Sequence, residues 1–213
     1  MLDVPPKKKP RPSLKIIYIG NFDPPHSTEN HIRTALIDRG HFVVGAQESH
    51  LTTWDALASD DWTAFGGKPD LILWTRTGWP WPDRDAMLAK QTLMLQRADF
   101  AGIPVVGYHL DIWWGLKREH QVEEEPFFRS NLVITADGGH DEKWLEAGVN
   151  HVWFPPAVSA REAKPGMRRT RLESKLAFVG SWQGSYHEEH AHRFELIAFL
   201  RKHFRNICEF YPR

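Results

Sequence analysis

The feature that most restricts this chain is a repeated alternation: a short, nearly continuous apolar run, a polar junction, then a stretch with helical spacing. The apolar runs are Lys15–Ile19, Phe42–Ala46, Leu71–Trp74, Val105–Tyr108, Leu132–Thr135, Val152–Phe154, Leu176–Val179 and Ile207–Phe210. Helices are expected between them at Thr28–Arg39, Trp54–Ser59, Arg84–Phe100, Glu142–Ala147 and His187–Phe204. Strands without polar alternation are buried on both faces, and strands separated by helices pair in parallel. The pattern predicts an α/β fold built on a doubly wound parallel sheet.

Local punctuation agrees. Ser27 or Thr28 caps the first helix and Gly40 closes it; Asp83 caps the long helix, Gly102 ends it and Pro104 lies just beyond. In that long helix Met87, Leu88, Leu95 and Ala98 are expected to share one buried stripe. After Pro155-Pro156, residues 157–174 lose all apolar periodicity and read as a linker. The expected organisation is a basic, proline-rich disordered tail over 1–14, a first domain over 15–157, a linker over 158–174 and the start of a second domain over 175–213. Some 40 residues rarely bury an independent core. The last segment is therefore expected to pack on the first domain or to belong to a domain whose remainder is missing.

Composition removes several function classes. The formal net charge is zero, so no global field draws the chain to nucleic acid. No apolar run approaches the roughly 20 residues that cross a bilayer, and no secretory signal precedes the first strand, so the reading is cytoplasmic. The single cysteine, Cys208, excludes an internal disulfide and a cysteine-based zinc site. Ten tryptophans are unusual for this length, and several fall in loops.

Ligands of open α/β sheets bind beyond the carboxyl ends of the strands, so the loops leaving each strand carry the candidates. His26 precedes a helix start, where the helix dipole disfavours imidazolium and a neutral ring can accept a hydroxyl proton. An exposed histidine in a turn stiffened by Pro24 and Pro25 explains the same residues equally well. His109 and Asp111 leave the fourth strand together, and Asp111 can orient a histidine, take a proton, or merely cap a turn. Trp79, Trp81, Trp113 and Trp114 flank these loops with faces suited to sugar rings or to nucleobases, or simply cover the sheet ends. Asp137, His140 and Asp141 lack a completing histidine at helical spacing, and His187, His190 and His192 lack a matching carboxylate arrangement; no metal site is expected. "KLAFVGSWQGS" runs a strand into Gly180, Ser181 and Gly184 before a helix, which lets backbone N–H groups meet a phosphate.

Taken in order, three segments resemble a GT-B glycosyltransferase of the spore-maturation (CgeB-like) branch, which includes phage relatives. They are "KIIYIGNFDPPHSTENHIRTALIDRGHFV", "VITADGGHDEKWLEAGVNHVWFPPAV" and "KLAFVGSWQGSYHEEHAHRFELIAFL". The resemblance implies two facing Rossmann-like domains, an acceptor on the first and a UDP- or GDP-linked sugar held mainly by the second, with no metal or other cofactor required. Carried over by position, His26 and Asp111 become catalytic candidates. Gly180, Ser181, Gly184 and Arg193 become donor-binding candidates, and Asn21, Glu29, Trp79, Trp81, His109, Trp113 and His140 acceptor-binding candidates. The family continues past the point equivalent to "ICEFYPR". The chain is therefore expected to be a truncated or split enzyme, inactive until a second chain or another copy completes the donor domain. A non-catalytic binding or assembly module on the same fold is the alternative. A nucleic-acid module using the basic tail is weaker because the body is charge-balanced.

Overall fold

A computed structural model describes residues 12–59, 61–77, 81–155, 157, 176–179, 192–204 and 208–211. The chain divides into two units, Met1–Glu162 and Ala163–Arg213, with the division inside the segment read as a linker.

The first unit carries β1 (Lys15–Gly20), α1 (Thr28–Asp38), β2 (Phe42–Gln47), α2 (Leu51–Ala58), β3 (Leu71–Thr75), α3 (Arg84–Phe100) and β4 (Val105–His109). It continues through α4 (Gln121–Glu124), β5 (Leu132–Thr135), α5 (Asp141–Glu146) and β6 (His151–Trp153), with short 3-10 turns at Trp62–Phe65 and Pro126–Arg129. All six strands form one sheet in the order β2-β1-β3-β4-β5-β6, and every pairing is parallel. This is the α/β, Rossmann-like architecture that the alternation of apolar runs and helical spacing predicts. No helix among the described residues is long and apolar enough to cross a membrane.

The two faces are dressed unequally. Ile17, Ile19, Ile72, Trp74, Val105 and Val133 point to the face covered by α2, α3 and α5, whose Trp54, Leu57, Met94 and Trp144 complete the main core. Ile16, Tyr18 and Val43 point to the other face, where Ile32 and Leu36 of α1 pack on them. Among the described residues α1 is the only helix of this unit on that side. Strands β3 to β5 accordingly alternate buried with half-buried positions, instead of reading as buried throughout.

Helix limits follow the sequence signals closely where a cap exists. Ser27 accepts the Asn30 N–H at 3.1 Å and Asp83 accepts the Ala86 N–H at 2.9 Å, each satisfying a donor of the first turn. Gly40 and Gly102 take left-handed φ of 89° and 67° just past their helices. Two expectations need correction. The buried stripe of α3 is Met87, Gln91, Met94 and Ala98, with Leu88 and Leu95 only half-buried, because the helix lays its i, i+4, i+7 row on the sheet whatever the residue type. Helix α2 begins at Leu51, not Trp54, and its start has no side-chain cap to mark it.

The second unit contains β7 (Leu176–Val179), α6 (His192–His203) and β8 (Cys208–Tyr211). β7 and β8 pair in parallel, in register Leu176↔Cys208. It is a strand–helix–strand unit, with Ile197 of α6 buried and Arg201, Lys202 and His203 in the last turn, where the helix dipole favours cations.

Candidate functional site

Strand order reverses between β1 and β3: the chain leaves β1 towards β2 on one side and leaves β3 towards β4 on the other. The loops after β1 and β3 therefore leave in opposite directions, and the crevice such a switch point makes is the ordinary ligand position of these sheets. The loop after β1 forms one wall. Phe22 N–H donates to Gln47 Oε1 at 2.7 Å, Gln47 Nε2 donates to Asn21 Oδ1 at 3.1 Å, and Asn30 Nδ2 donates to the carbonyls of Phe22 and Pro24 at 2.9 Å. The loop is thus held by side chains from β2 and α1. His26 lies at its tip, exposed.

On the α1 face of the crevice, Gly20 ends β1 directly beneath Glu29. A Cβ on Gly20 would stand 2.6 Å from Glu29 Cγ and 3.7 Å from Thr75 Cβ, so the glycine is required by packing. Glu29 is 6% exposed as a residue, and its carboxylate oxygens are not among the buried polar atoms left without a partner. Beside it Tyr18 Oη and Thr75 Oγ1 share a hydrogen bond of 2.9 Å. Burial pushes the Tyr18 phenol well above its ordinary range, opposed by the Thr75 hydrogen bond and reinforced by the charge of Glu29. Burial also raises Tyr108 on β4. Both phenols are therefore neutral at ordinary pH.

The opposite face holds a different set. Glu48 is 3% exposed; its carboxylate accepts from Trp74 Nε1 at 3.1 Å, from the Thr77 N–H at 2.8 Å and from the Thr77 hydroxyl. Burial still raises its pKa against those bonds. Arg76 pairs with both Glu125 oxygens through its Nε and Nη2. Trp113 is fully buried between two cations, with Arg118 4.9 Å and Arg76 5.3 Å from its ring centroid. His109 is buried against Trp113 with ring centroids 5.0 Å apart. Its Nδ1 accepts the Asp111 N–H at 3.0 Å, which places the ring proton on Nε2. Desolvation takes its pKa down to about 3, with Asp111 opposing and Arg76 and Arg118 assisting.

Several expected site residues find a physical role here. Asp111 lies past the end of β4, exposed and 3.4 Å from Arg118, and its charge opposes the lowering of the His109 pKa. Trp113 offers no face to a ligand, being enclosed by aromatic and guanidinium groups. Trp81 packs half-buried against the core. Asp137 is 2% exposed, and one of its oxygens accepts the N–H groups of Trp113 and Trp114 at 2.8 and 2.9 Å, which pins the loop after β4 to the loop after β5. His140 stands 3.7 Å from the other Asp137 oxygen. Among the described residues no three His, Cys, Asp or Glu side chains gather as a metal would require. Arg193 lies half-buried in the first turn of α6. Trp79, Gly180, Ser181, Gly184, His187 and His190 lie outside the described residues.

Glu48 and Glu125 went unnoticed in the sequence. Neither belongs to a motif, and their partners stand 26 to 29 and 49 positions away. A groove of about 440 Å³ runs along α5 and the turn into β6, lined by Trp144, Leu145, Val149 and His151. It follows the α5–β6 turn and does not coincide with the crevice between β1 and β3. No protein-family model matches the chain, and no curated protein matches it.

Proposed function

We propose that the chain is the acceptor-side portion, with the beginning of the donor side, of a metal-independent glycosyltransferase using a nucleotide-linked sugar. The observation that carries this reading is the succession of two parallel units in one chain: a six-stranded sheet with a switch point, then a parallel strand–helix–strand unit. A transferase that must hold two substrates against each other uses such a pair, one for each substrate. The acceptor hydroxyl oxygen attacks the anomeric carbon. The bond from that carbon to the diphosphate breaks with its electron pair on the phosphate, and the hydroxyl proton passes to His26 or Asp111. His26 has the freer access, exposed at the tip of a braced loop, whereas Asp111 stands beside Arg118.

The test is acceptor-dependent release of nucleotide from a panel of UDP- and GDP-sugars by the 213-residue chain, in the presence of a chelator, followed by mass detection of the glycosylated product. Product formation that His26→Ala abolishes supports the reading. Neither product nor nucleotide binding, across the panel and with complementing donor-domain chains, overturns it. A non-catalytic binding module is the second reading, favoured by the absence of a hydrogen-bonded histidine–carboxylate pair at the β1–β3 crevice among the described residues. It predicts acceptor binding without turnover.

A further inference from the structure

We infer that strand β6, the outer edge of the six-stranded sheet, is an interface at which two copies of this chain pair antiparallel about a twofold axis at Val152. The inference concerns the first unit only and does not rest on the transferase reading. β6 ends the strand order, and among the described residues no strand pairs with its outer side. An edge left open is ordinarily blunted by lysine or another charge on the strand. β6 carries His151, Val152 and Trp153 instead, with Phe154 next. Val152, Trp153 and Phe154 are 47 to 53% exposed, and Leu145, which lines the groove beside His151, is 78% exposed. The opposite edge, β2, exposes a single large apolar side chain, Phe42, along its whole length. Apolar side chains grouped on an open strand edge mark a surface that is covered by association.

The backbone of β6 suits a second copy of itself. Val133 N–H donates to the Asn150 carbonyl and Phe154 N–H to the Thr135 carbonyl, both at 2.8 Å, in the register Val133↔His151 and Thr135↔Trp153. Parallel pairing therefore turns both backbone groups of Val152 towards β5 and those of His151 and Trp153 outwards. With the axis on Val152, each His151 faces the partner's Trp153, and each such pair exchanges two N–H···O=C bonds. Every outward group of the strand is then met. An axis moved one residue on sets His151 against Pro155, which has no N–H to donate. The side chains agree with that register. On the face of α1 the two Val152 side chains stand opposite each other, flanked by Phe154 of each copy. On the other face each Trp153 lies against the partner's His151. One side of that indole already rests on Gly138, where a Cβ would come 2.8 Å from the ring, so it is held in place before association. No carboxylate or ammonium group enters the pairing. Half of a valine, a tryptophan and a phenylalanine, with most of a leucine, amounts to roughly 450 Å² per copy, about half of what a standard interface takes from each partner. That area sustains a weak, reversible dimer.

The experiment is sedimentation velocity of the 213-residue chain between about 5 and about 500 μM. It compares the wild type with Val152→Lys, Phe154→Lys and, as a control, Phe100→Lys, whose side chain is 90% exposed at the end of α3. Expected are a monomer–dimer equilibrium in the wild type and in Phe100→Lys, and association weaker by about tenfold or more in the two β6 variants, where like charges meet across the axis. Lysine is at home on an edge strand, so the fold is retained, and unfolding midpoints check that it is. In a Cys208→Ser background, Val152→Cys should join two copies by a disulfide under mild oxidation, because residues on the axis face each other directly, whereas Phe100→Cys should not. A wild type that stays monomeric over the whole range overturns the inference. So does a dimer that both β6 variants leave unchanged, or one that Val152→Cys does not crosslink.

Discussion

Glu29 and Glu48 are two buried carboxylates at the same end of the same sheet, one on each face, and they are treated in opposite ways. Glu48 is enclosed by Trp74 and Thr77, and it fixes the exit of β3 to the exit of β2. Glu29 lies over Gly20, whose missing Cβ makes room for its side chain, and holds no backbone group in the way Glu48 does. The contrast extends to the faces. On the side of α2, α3 and α5, polar groups are spent on holding backbone: Asp137 on the N–H groups of Trp113 and Trp114, Glu125 on Arg76. On the side of α1 the Tyr18 and Thr75 hydroxyls pair with each other, and Asn30 holds the carbonyls of the loop after β1. Burial alone therefore does not tell how a carboxylate is used; its partners do.

The largest break in this comparison should come from Trp113→Ala. It removes a fully buried indole packed on His109 and Phe128 and flanked by two guanidinium groups, at a cost of about 4 kcal/mol in urea unfolding. Next, Glu48→Ala strands the Trp74 indole N–H in the core and should cost about 2 kcal/mol by the same measurement.

His109 supplies a pH-dependent test of the structural face. Its folded pKa lies at about 3 against an ordinary 6.5, so the unfolded chain takes up a proton that the folded chain refuses. Its contribution is complete above about 6.5 and is lost as the pH falls towards about 3, amounting to about 2 kcal/mol by pH 5. Burial raises Glu48 in the opposite sense, its contribution being present below the ordinary carboxylate value and lost as pH rises through the raised one. Comparing unfolding midpoints at pH 7.5 and 5 between wild type and His109→Gln isolates the histidine, since Glu48 is common to both; the variant should lack the histidine's part of the slope. The smallest effect is expected from Glu29→Gln, within about 0.5 kcal/mol of wild type, because Glu29 holds no backbone group. A destabilisation as large as that of Glu48→Ala would place Glu29 among the structural carboxylates and erase the distinction.

The alternation of apolar runs with helical spacing was enough to specify a parallel α/β sheet, because period and burial are local properties. β5 falls on Leu132–Thr135 and α3 on Arg84–Phe100, as their flanking caps and breakers imply. Where no cap marks the chain, as at Leu51, the limit slipped. The sequence also located the strand-end loops and placed Glu29 at the mouth of the first.

What the tertiary structure decided is which of the polar residues in those loops are occupied. Asp137 invites a metal-ligand reading in sequence, yet its partners are backbone N–H groups 23 and 24 positions upstream. Trp113 invites a stacking role, yet it is sealed by Arg76 and Arg118. Gly20 carries no signal of its own in the sequence, yet its missing Cβ makes room for Glu29. Each outcome depends on which groups meet across neighbouring strands. Strand order sets those meetings, and a periodicity confined to one segment carries no record of them.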